Sequence, residues 1–169
     1  MADVNAQSTN FRTPLHCAVS HNHLDIVQLL LNENAEIAAR KENGFTLLHI
    51  ASKKGYFNLV QYLCQMGLDI NSKSHYSFTP LHWASANGHF DVVKFLLDNG
   101  AEINSCDSRG LTPLHYAADN GIECIVELLT LKGADICAED KYGFDAAHYA
   151  EINGQYTIAQ FLRQLENKH

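Results

Sequence analysis

Phe78-Thr79-Pro80-Leu81-His82-Trp83-Ala84 is the stretch on which the reading of this chain turns. Its core, Thr-Pro-Leu-His, stands again at 13–16 and 112–115. A close copy, Thr-Leu-Leu-His, occupies 46–49, and a worn one, Asp-Ala-Ala-His, occupies 145–148. The blocks begin at 13, 46, 79, 112 and 145, a constant interval of 33 residues. A fixed period of this length signals stacked units, each too small to bury its own apolar face.

One copy, read outward from the motif, explains the rest. Thr79 is a good N-cap, and Pro80 suits the first helical position, where its missing N–H costs nothing. A short helix is expected from Leu81 to about Asn87, broken by Gly88 in a turn that needs positive φ. A second helix runs from about Phe90 to Asp98, with Val92, Val93, Phe95, Leu96 and Leu97 giving a broad apolar face. Asn99-Gly100 ends it. Ala101-Glu102-Ile103-Asn104 then leads to the turn Asp107-Ser108-Arg109-Gly110. Positions 22, 55, 88, 121 and 154 form the inter-helix row, glycine everywhere except at Asn22. In the other turns Phe11 and Ser77 stand where glycine is expected, so the third turn should be distorted. Ala2-Asp3-Val4-Asn5-Ala6 reads as the tail of a preceding unit.

On this motif and period the chain resembles ankyrin repeats over nearly its whole length. The resemblance implies an all-α, ankyrin-repeat solenoid of stacked helix-turn-helix units with β-turn fingers. It forms a single domain over 1–169, with units of about 7–39, 40–72, 73–105, 106–138 and 139–169, the first and last acting as caps. It also implies that the motif histidines are buried and hydrogen-bond within and between units, and that a partner protein binds along the fingers and the free face of the first helices.

Composition narrows the function further. A formal charge of −7 argues against binding by phosphate neutralisation of nucleic acid. No long apolar run suggests membrane insertion, and the N-terminus lacks the pattern of a signal peptide. Five cysteines without a Cys-x-x-Cys pair suit neither a disulfide framework nor a zinc site. Cys64 and Cys124 fall on apolar positions and are expected to be buried. The ten histidines include the five of the motif, one per unit, too far apart to share a metal. No P-loop, Gly-x-Gly-x-x-Gly, Gly-x-Ser-x-Gly or His-Glu-x-x-His is present. The sequence therefore offers no catalytic residue, no cofactor site and no metal site.

What the scaffold leaves free points to a partner. The position before each N-cap holds Arg12, Phe45, Phe78, Leu111 and Phe144; another finger position holds Tyr76, Arg109 and Tyr142. The residue after each motif histidine is Cys17, Ile50, Trp83, Tyr116 or Tyr149. Residues 33 apart stack into rows, so these become aromatic stripes, and aromatic side chains dominate interface energy. Lys53 and Lys54 on the free face of their helix, with Arg12, Arg40, Lys41 and Lys73, suggest a groove more basic than the chain as a whole. The expected partner is a protein or extended peptide segment, acidic or of mixed charge, with apolar anchors. The chain would then be a monomeric adaptor or inhibitor inside the cell, in the cytoplasm. An alternative is a methyl-lysine reader with an aromatic cage of Trp83 and Tyr76 or Tyr116.

Overall fold

The computed structural model describes residues 3–167, so Met1 and Ala2 of the leading tail lie outside the described residues. Ten helices fall into five pairs: α1 (Pro14–Ser20) with α2 (Leu24–Asn32), α3 (Leu47–Lys54) with α4 (Phe57–Gln65), α5 (Pro80–Ala86) with α6 (Phe90–Asp98), α7 (Pro113–Asp119) with α8 (Glu123–Leu131), and α9 (Ala146–Ile152) with α10 (Tyr156–Glu166). No strand occurs among the described residues, and the fold is an all-α repeat solenoid. First helices stack on first helices, and second helices lie along the other side.

Each first helix starts where the threonine dictates. Thr13, Thr46, Thr79 and Thr112 hold extended backbone, and the ring Nδ1 of the histidine three residues on accepts their N–H at 3.1–3.2 Å. This is a capping box with histidine in the place of Glu or Gln. An accepting Nδ1 fixes the proton on Nε2. That Nε2–H donates across the stack: His49 to the Phe78 carbonyl (2.9 Å), His82 to Leu111 (3.1 Å) and His115 to Phe144 (3.1 Å). The worn motif is capped by Asp145, which accepts from the His148 backbone N–H at 2.7 Å.

The finger turns repeat closely. The Lys41, Ser74, Asp107 and Asp140 N–H groups donate to the carbonyls of Phe45, Phe78, Leu111 and Phe144 at 2.9–3.0 Å. Ser77 does not distort the third finger. It takes φ 60° and donates to Ser74 O at 2.9 Å, as Gly44 and Gly110 do to Lys41 and Asp107.

The core lies between the helix layers, with Leu47, Leu48, Leu59, Leu63, Leu81, Leu96, Leu114, Ile125 and Leu129 fully buried. The last pair ends it with a helix apolar on one side, through Ile158, Ala159 and Leu162, while Arg163 on the other pairs with Asp145 and Glu166. Ile26 and Leu29 are 41% and 60% exposed, although Leu59, Val92 and Ile125 in the same row as Ile26 are buried, because among the described residues no helix pair packs on that side of α2. Cys124 is also exposed, contrary to the sequence expectation, and Cys64 is half-buried. The apolar pattern places both on second helices but does not say which side the next pair leaves open.

Three rows of hydrogen bonds tie neighbouring pairs. One is the histidine row above. A second links finger backbones: His75 N–H to Asn43 O (3.1 Å), Ser108 to Tyr76 (2.9 Å) and Lys141 to Arg109 (3.0 Å). A third is an asparagine row. Asn5, Asn71 and Asn104 accept from the N–H groups of Glu36, Glu102 and Asp135 at 2.8, 2.8 and 2.9 Å, which shows the Asp3–Ala6 segment to be a loop of the same kind. Among the described residues all three rows skip the junction of the first and second pairs. His16 Nε2 is buried without a partner, Glu42 N–H does not reach Asn10 O, and Ala38 stands where asparagine is needed. What remains there is α1 packed on α3 and a 3.4 Å bond from the Tyr56 hydroxyl to Ser20 O.

Candidate functional site

The fingers are of two kinds, set by the chemistry of one position. In the fourth finger the buried Asp107 carboxylate accepts from Arg109 N–H (2.7 Å), Leu111 N–H (3.0 Å) and the Tyr116 hydroxyl (2.8 Å). In the fifth, Asp140 accepts from Tyr142 N–H (2.8 Å), Phe144 N–H (3.0 Å) and the Tyr149 hydroxyl (2.7 Å). Each aspartate thus locks its finger to its own first helix. Burial, and then the hydrogen bond to Asp140, push the Tyr149 phenol up to about 12, and Tyr116 moves the same way for the same reasons. Ser8, Lys41 and Ser74 take the aspartate's place in the first three fingers, and Cys17, Ile50 and Trp83 take the tyrosine's. No such lock exists there.

The lock removes part of the expected surface. Leu111 is only 3% exposed, so its side chain cannot reach a partner, and its carbonyl serves His82. Tyr116 is half-buried and its hydroxyl also receives a 2.6 Å bond from Arg109, so both belong to the lock. Tyr142 stands free at 75% exposure, and Phe144 stacks on His148 with ring centres 4.2 Å apart.

In the unlocked half the predicted residues come together. Trp83 lies edge-on to Phe45 at 5.4 Å and stacks on Phe78 at 5.1 Å. Lys53 Nζ sits 4.2 Å above the Trp83 ring, a cation–π contact between neighbouring pairs. All three rings are half-buried, and the indole Nε1 has no partner. Tyr76 and Lys54 are exposed, Tyr76 at 61%. Of the rings weighed for a methyl-lysine cage, Trp83 lies under the chain's own Lys53 ammonium, and Tyr116 turns its hydroxyl to Asp107.

From the sequence, Arg12 and Lys41 are finger charges and no more. They line, with Asn10, Asn43, Phe45 and Lys53, a cleft of about 340 Å³ where the first two fingers part. Nothing in the sequence says that these fingers part, although Ala38 in the asparagine row is a sign of it. A wider crevice of about 640 Å³ lies among α8, its following loop and α10, away from the fingers, lined by Leu131, Ile136 and Phe161. Among the described residues no group of His, Cys, Asp or Glu could hold a metal ion, and no helix is long and apolar enough to cross a membrane.

The motif histidines are structural. Desolvation by burial, foremost, lowers His49 and His82 to about 4, so their rings stay neutral. A family model described as ankyrin repeats (3 copies) matches residues 1–74, 39–107 and 81–169. No curated protein matches the chain significantly.

Proposed function

The chain belongs to the ankyrin repeat family, whose members are generally protein-interaction modules, and on that premise we propose that it is a non-catalytic adaptor or inhibitor that holds a partner protein along its fingers and first helices. The contact is centred on the second and third fingers, where Phe45, Phe78 and Trp83 meet under Lys53, and it takes in the exposed Lys54 and Tyr76. The observation that carries this reading is the division of the stack. Two fingers are locked by buried aspartates, while the unlocked ones present half-buried rings and cations without an ion-pair partner among the described residues. Half-buried aromatics rimmed by polar groups are the usual anchors of an interface. The partner fitting them is an extended segment, acidic or of mixed charge, with apolar side chains to set against the rings. Five free thiols suit a reducing, cytoplasmic setting.

The test compares the wild-type chain with Phe45→Ser/Phe78→Ser/Trp83→Ala, first shown to fold by circular dichroism, in affinity capture from lysate followed by binding measurements on the isolated partner. Loss of three anchors is expected to weaken binding by about 2 kcal/mol or more, at least thirtyfold. Equal binding by a folded variant would move the contact to the second helices.

A further inference from the structure

The cleft between the first two fingers is where every cross-link that the later fingers share is missing. The Glu42 N–H is left without a backbone partner, and the buried His16 ring makes no bond to the Phe45 carbonyl, unlike the three histidines after it. Arg12 Nε is also shut away from water with nothing in the protein to accept its proton. Three cations line the opening, Arg12, Lys41 and Lys53, and none is paired with a carboxylate among the described residues. Glu42 is the one acid on its wall. The positive field reaches inward: after burial, Lys41 and Arg12 are what lower the His16 ring to about 4. Only Nε is shut away: Arg12 as a whole is half-buried and lines the cleft, so the rest of its guanidinium is what a ligand there would meet.

We propose that this cleft is a phosphate subsite, holding the phosphoryl group of a phosphoserine or phosphothreonine in the partner segment, with Arg12 as the bidentate donor and Lys41 and Lys53 as flanking charges. The proposal rests on the groove reading above and adds the modification to it. Three positive charges and one negative leave about two, which match a phosphoryl dianion of −1.5 to −2 better than the single charge of a carboxylate. A space of about 340 Å³ also exceeds what a carboxylate fills. The guanidinium fork suits phosphate oxygens, and the freed Glu42 N–H adds a neutral donor. Phe45 forms a wall shared by the cleft and the aromatic cluster, so a phosphorylated residue would be continuous with the apolar anchors. Lys53 joins both sites, and it lies on the only tryptophan of the chain. Engaging its ammonium therefore changes the fluorescence of Trp83.

The experiment uses immobilised degenerate heptapeptide pools with a central phosphoserine, serine or glutamate, and three proteins: wild type, Arg12→Gln/Lys41→Gln, and Phe78→Ser/Trp83→Ala. Wild type is expected to retain the phosphoserine pool at least tenfold over both others. The preference should fall below twofold in the cleft variant, while the ring variant weakens all pools alike. Soluble phosphoserine peptides from the retained pool should change Trp83 fluorescence saturably, and added inorganic phosphate should compete. Equal retention of phosphoserine and glutamate pools overturns the phosphate assignment and leaves the groove standing. Undiminished preference in a folded Arg12→Gln/Lys41→Gln chain places the phosphate elsewhere and overturns it too. No retention of any pool also counts against it, and the capture experiment with the ring variant then judges the groove alone.

Discussion

At the scale of single residues, one side chain type does two jobs. The motif histidine closes the capping box through Nδ1 and ties the next unit through Nε2–H, and only the neutral ring can do both. The folded-state value of about 4 for His49 and His82 lies below the ordinary 6.5, so between these limits the unfolded chain binds protons that the folded chain refuses. Stability is therefore full above pH 6.5 and falls as the pH drops towards 4, by on the order of 2–3 kcal/mol for each such ring. Asp140 and Asp145, held below their usual value by their hydrogen bonds against the opposing effect of burial, add losses only at lower pH. Urea titrations followed by Trp83 fluorescence at pH 7, 5.5 and 4.5 measure the slope. His82→Gln keeps a capping residue and is expected to flatten it; an unchanged slope would acquit the histidine. The motif made the capping threonines and histidines legible from sequence. It could not reveal Lys53 over Trp83, because that contact joins residues 30 apart through the geometry of the stack. Nor could it show Leu111 buried, since a row shares position but not cover.

At the scale of the element, periodicity found every helix, and the helix bounds differ from the sequence reading by a residue at most in the third pair. Periodicity does not say whether an apolar face has a neighbour. Leu96 in α6 is fully buried between flanking pairs, whereas Leu29 in α2 is 60% exposed on the same kind of helix. Leu96→Ala is thus expected to cost about 2–5 kcal/mol, and Leu29→Ala to stay within about 0.5 kcal/mol of wild type. Thermal and urea unfolding of the two variants decide the matter. Similar losses would mean that α2 is covered in solution. The loss at Leu96 should also separate the two ends of the stack into distinct transitions, since each pair leans only on its neighbours.

At the scale of the whole molecule the stack is uneven. Its later junctions each carry the histidine link and the finger link, but the first carries neither and lacks the asparagine bridge as well. Hydrogen exchange should find the amides of α1 and α2 opening at lower free energy than those of α5 and α6. Ala38→Asn should restore one link, stabilising the first pair by about 1 kcal/mol and slowing its exchange; no change would mean that the loops there do not approach closely enough. Only the alanine was readable in advance. The parted fingers follow from the sum of three absences, two of which concern backbone groups that no side chain identity reports.

The regular spacing of the rows also sets a ruler for whatever lies along them. Successive first helices are about 8–10 Å apart, and an extended chain advances about 3.3 Å per residue. Each unit therefore spans three residues of ligand. A segment crossing the stack would present its side chains to it in a rhythm of every third position, so that its recognition code is a spaced motif, and slipping by one residue would take every anchor out of step at once.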